Sequence, residues 1–108
     1  MTTETAIIKR IIKSANQHDA FIAVLGEGEV VLKANRKQTT AEVVDAATAC
    51  DMSELVILSR SDINENKRAR RIGGIALIFG NSPEELVADW TDNAEITTIL
   101  RDAGIDHA

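Results

Sequence analysis

Aromatic side chains are scarce in this chain: tyrosine is absent, and Phe21, Phe79 and Trp90 are the whole complement. A core must therefore be assembled from Ile, Val, Leu and Ala, and the aromatic platforms on which single-stranded nucleic acids stack have almost nothing to be built from. Cysteine is nearly missing too. Cys50 alone cannot close an internal disulfide, and no charged stretch followed by an apolar run stands near Met1 as a secretory signal would, so a cytoplasmic protein is expected. No apolar run approaches the ~20 residues that a membrane-spanning helix needs. Pro83 is the only proline, and there is no repeat or low-complexity stretch to mark a linker. What remains, 108 residues of which 44% are hydrophobic and 27% charged, is the composition of one folded domain over 1–108.

Charge is uneven. The net value is -5, yet much of the acid lies late: residues 80–108 carry Glu84, Glu85, Asp89, Asp92, Glu95, Asp102 and Asp106 against Arg101 alone. Lys67, Arg68, Arg70 and Arg71 make a basic connector in the middle of the chain.

Two apolar runs organise the pattern. Leu55 to Leu58 and Ile75 to Phe79 are strand-length and lack the alternation of a half-exposed strand, which predicts strands over 55–59 and 74–80 covered on both faces. Residues 60–73 between them are long enough for a helical crossover joining parallel neighbours. In this reading Asp62 and Glu65 open the connector helix, and Gly73 and Gly74 end it.

Around that pair the rest reads in order. Ile7, Ile8, Ile11, Ile12 and Ala15 form a helical stripe capped by Thr2 or Thr3, with Lys9, Arg10 and Lys13 on the wet side and His18 at its C-terminal end. Ala20 to Leu25 is a buried strand that turns through Gly26-Glu27-Gly28 into Val30 to Ala34, a hairpin over 20–34. Thr39 with Glu42 is a capping box for a helix that turns Val43, Val44, Ala46, Ala47 and Cys50 inward. Ser82-Pro83-Glu84-Glu85 predicts another helix start, with Leu86, Val87 and Trp90 on its buried face. Ala94 to Ala103 is the last helix, ended by Gly104. The expected fold is thus α/β, with a mixed four-stranded sheet, helices on both faces, and the order α-β-β-α-β-α-β-α-α.

No constellation of side chains marks a reaction. The glycine pair follows a helix and precedes a strand in this reading, the reverse of a phosphate cradle. Cys50 sits beside Asp51 at the carbonyl end of a helix, poor company for an anionic nucleophile. His18 and His107, far apart, do not form a zinc site with one cysteine, so neither metal nor cofactor is expected. A helix-turn-helix over 40–60 would need Leu55 to Leu58 to be a recognition helix, and four consecutive branched apolar residues would bury it on every side.

The expectation is a small non-enzymatic protein-binding module of regulator, inhibitor or adaptor type. It binds a protein partner and forms a homo-oligomer through Lys67, Arg68, Arg70 and Arg71 and the acidic tail. Two alternatives stay open. One is nucleic-acid binding through Lys9, Arg10, Lys13 and the same connector. The other is a small enzyme with its site at the C-terminal ends of the central strands, near Asp62 and Glu65.

Overall fold

The structure, a computed structural model, describes residues 3–34, 38–59, 71–80, 82 and 85–105. Within them the chain runs α1 (Glu4–Gln17), β1 (Ala20–Gly26), β2 (Glu29–Leu32), α2 (Thr40–Ala47), β3 (Met52–Ser59), β4 (Arg71–Ile78), β5 (Val87–Trp90) and α3 (Ala94–Asp102). The α/β domain expected from the sequence is the fold found. Its sheet has five strands in the order β2-β1-β3-β4-β5, and each neighbouring pair is antiparallel.

Local chemistry accounts for the helix ends. Thr39 accepts from Glu42 N while the Glu42 side chain bonds back to Thr39, a complete capping box. Thr3 caps α1 by accepting from Ala6 N at 3.1 Å, and Asn93 caps α3 by accepting from Ile96 N at 2.8 Å. His18 is the C-cap of α1. At the far end of α3, Ile105 N bonds to Leu100 O and Gly104 N to Arg101 O, with Gly104 at a φ of 85° and Ile105 buried; this is the Schellman arrangement. The β1–β2 hairpin closes in two residues, Glu27 and Gly28, both at positive φ, as a turn matched to strand twist requires.

Four features depart from the sequence reading. β3 and β4 are antiparallel, so the sheet is not mixed; β4 begins at Arg71, ahead of the glycine pair, and the chain reverses instead of crossing over. The segment read as a helix from Ser82 contains β5. Leu86 and Val87 are buried and Trp90 packs against the core as expected, but they do so from a strand that satisfies the outer edge of β4. The Ala88 bulge in that strand lets residues 87 and 90, paired with Leu77 and Ile75, both turn inward.

Gly73 and Gly74 are strand residues, not helix terminators. The rest of the connector helix falls on 60–70, outside the described residues. Finally, the three described helices share one face. The α1 stripe meets α2, α3 and the sheet within a single core that includes Ile8, Ile22, Val43, Leu55, Ile75 and Ile99. An antiparallel sheet needs no crossovers to spread helices over both faces, and among the described residues no helix lies on the other face. No described helix is long and apolar enough to cross a membrane.

Candidate functional site

The open face is defined by the register. Buried Ser53, Leu55 and Ile57 of β3 point toward the helices, so Met52, Glu54, Val56 and Leu58 point away. Their cross-strand neighbours share that side: Leu25 is opposite Glu54, Val30 is opposite Leu25, Met52 is opposite Ile78, and Glu54 is opposite Ala76. This face changes character along the strands. Near the connector end Phe21 and Val56 are buried at 3% and 8% exposure, whereas near the hairpin turn Met52 and Val30 stand 57% and 58% exposed.

At the hairpin end the open face forms a groove of about 390 Å³. Leu25, Met52, Ala76 and Ile78 give it an apolar floor, and Glu27, Glu54 and Asp89 bring acid to it. The Asp89 carboxylate accepts from Trp90 N at 2.9 Å, which steadies it beside the groove. Further along, Arg71 Nη2 approaches Glu54 Oε1 at 3.3 Å, with side chains 56% and 37% exposed. Such a surface pair contributes less than ~1 kcal/mol. Its place matters more than its strength: a Cβ on Gly74 would run into the Glu54 carboxylate, so this glycine is what lets the pair lie flat on the sheet.

Of the four basic residues singled out in the sequence, Arg71 is described: it is an exposed residue of β4 opposite Leu58, and its side chain reaches back to Glu54, one of the groove's acids. Lys67, Arg68 and Arg70 lie outside the described residues, as do Asp62 and Glu65. Lys9, Arg10 and Lys13 are exposed on α1, across the sheet from Arg71, so these described cations do not form one basic surface. Cys50 is half-buried, its Sγ set against Gly26. Leu55 to Leu58 lie in β3, so no recognition helix stands there.

A second cluster joins the helix layer. His18 Nε2 and Asp102 Oδ2 are 2.7 Å apart, linking the C-terminal ends of α1 and α3 beside a smaller pocket of about 240 Å³ that Glu95, Thr98 and Ile72 also line. Asp102 is remote from His18 in the chain, so the order of residues gives no sign of this pair. Among the described residues, no group of three or more His, Cys, Asp or Glu is placed to hold a metal ion.

The groove residues were missed for a visible reason. Met52 and Glu54 alternate with buried Ser53 and Leu55, a period-two signal, but Val56 and Leu58 continue on the outer side and hide the alternation inside an apolar run. Comparison with known protein families, characterised proteins and solved structures finds no match for this chain.

Proposed function

We propose that this chain is a small non-enzymatic protein-binding module of regulator, inhibitor or adaptor type that self-associates, and that the hairpin end of its open sheet face is the binding surface. The observation that carries this reading is the bare apolar strip there: Met52 and Val30 lie exposed beside Leu25 and Ile78 on one continuous face. An apolar strip rimmed by acids is what a protein-binding surface presents, since burying it on a partner removes apolar area from water.

The sheet edges favour the face over strand addition. β2 and β5 are both four residues long, and each carries a bulge, at Val31 and Ala88. Short, bulged edges twist the unpaired backbone away from a docking strand.

The test is the mass in solution by sedimentation equilibrium, for the wild type and for Met52→Glu and Val30→Glu, up to about 1 mM protein. Concentration-dependent dimerisation that either substitution weakens at least ~10-fold supports the reading. A wild-type chain that stays monomeric throughout removes it.

A further inference from the structure

Resting on the binding surface of that reading, we infer that the groove takes an extended segment of a partner protein carrying an arginine and an aliphatic side chain two residues apart. The arginine lies between Glu54 and Asp89, and the aliphatic side chain covers the apolar floor beside them. Charge and spacing both point to this occupant.

Pairing across three strands sets two acids on either side of a small residue. Glu54 of β3 is opposite Ala76 of β4, and Ala76 is opposite Asp89 of β5, so the backbones of the two acids stand about 10 Å apart with only a methyl group between them. Glu54, Gly74, Ala76, Asp89, Trp90 and Thr91 line a slot of about 150 Å³ there. It adjoins the groove, because Glu54, Ala76 and Asp89 line both.

Arg71 leaves these acids partly unanswered. It reaches Oε1 of Glu54 at 3.3 Å, while Oδ1 of Asp89 accepts from Trp90 N. Among the described residues Oε2 of Glu54 and Oδ2 of Asp89 have no hydrogen-bond partner. Glu27 adds a third acid at the groove's end, so Arg71 alone leaves an excess of negative charge. A guanidinium is the cation that suits two facing carboxylates, since it is planar and carries donors along more than one edge.

Spacing supplies the second half of the recognition. Met52 and Ile78, opposite one another, lie two residues along β3 and β4 from Glu54 and Ala76, a step of ~7 Å on the same face. Alternate side chains of an extended segment are separated by the same step. With arginine in the slot, a leucine two positions away therefore lies over Met52, Ile78 and Leu25 and removes their apolar surface from water. A segment held in this way lies on the face and needs no free sheet edge.

The probe is the peptide acetyl-Gly-Ser-Leu-Thr-Arg-Ser-Gly-amide, titrated to about 5 mM into isotope-labelled chain at about 0.1 mM and low salt, with backbone amide shifts followed by NMR. The same titration is run on Val30→Glu, in which a second copy no longer competes for the strip. Saturating shifts at the amides of Met52, Glu54, Ala76 and Asp89, with a dissociation constant below about 1 mM, are expected. Three altered peptides are expected to bind at least ~10-fold more weakly: arginine changed to glutamate, leucine changed to serine, and the order Gly-Ser-Thr-Leu-Arg-Ser-Gly, which turns the two side chains to opposite sides. In the chain, Glu54→Gln with Asp89→Asn is expected to weaken binding by a similar factor, with circular dichroism melts to confirm folding.

Absence of saturating shifts in both chains, shifts centred elsewhere, or equal binding of any altered peptide overturns the inference. Undiminished binding by the folded Glu54→Gln, Asp89→Asn chain does so too; should that chain not fold, the altered peptides decide. Peptide binding by a chain that stays monomeric removes self-association and leaves this inference standing, whereas a self-associating chain whose Val30→Glu form binds no peptide does the reverse.

Discussion

Two buried serines show how one residue type acquires opposite energetic signs from its surroundings. Ser14, 2% exposed on α1, donates from Oγ to the carbonyl oxygen of Ile99 at 2.6 Å, joining α1 to α3. Ser53, 7% exposed on β3, has an Oγ with no hydrogen-bond partner. An unpaired buried hydroxyl costs about 1–3 kcal/mol, whereas a paired one contributes about 1 kcal/mol. Ser14→Ala is therefore expected to destabilise the fold by about 1–2 kcal/mol, and Ser53→Ala to stabilise it by about 1 kcal/mol; parallel urea unfolding curves check both, and a loss at Ser53 would reveal a partner for its hydroxyl. Gly73 acts at the same scale. A Cβ there would lie 2.7 Å from Ile96 Cγ1 and 2.9 Å from Thr91 Cβ. Because Ile96 is fully buried it has little room to yield, and Gly73→Ala is expected to cost about 1–3 kcal/mol by the same measurement.

At the scale of elements, the sheet is held by devices that replace missing strand partners. β2 is too short to accompany β1 along its length, and past Leu32 the outer edge of β1 would be bare. The Gln38 side chain takes that place: Oε1 accepts from Ile22 N at 2.9 Å and Nε2 donates to Ile22 O at 2.8 Å. Gln38→Ala strands two polar groups of a fully buried residue, with an expected loss of about 2 kcal/mol or more and faster hydrogen exchange at Ile22 N. Asn93 performs a related task for α3. It caps that helix and donates from Nδ2 to Ile72 O at 3.0 Å, tying the helix start to β4.

At the scale of the molecule, the described helices occupy one side of the sheet and the other side is unevenly buried. The buried end near Phe21 and the bare end near Met52 belong to the same strands. The bare end carries the proposed association. If its apolar strip joins the copies, added sodium sulfate is expected to tighten dimerisation in sedimentation equilibrium, because an excluded salt strengthens apolar burial; a dimer that weakens steeply with salt would instead be held by charge.

The sequence by itself determined what depends on near neighbours: the stripe of α1, the capping box of Thr39 and Glu42, a hairpin turning within Gly26-Glu27-Gly28, the end of α3 at Gly104, and the inward packing of Leu86, Val87 and Trp90. These follow from periods and caps read over a few residues, and the described structure bears them out. Tertiary structure alone decided how strands pair and which face stays bare. Residues 87–90 became a strand because the outer edge of β4 required partners, and β3 and β4 ran antiparallel once their ends extended to Ser59 and Arg71. The candidate groove belongs to this second class: Leu25, Met52, Ile78 and Asp89 come from four separate strands, and hydrogen bonds between strands carry no mark in the order of the residues that make them.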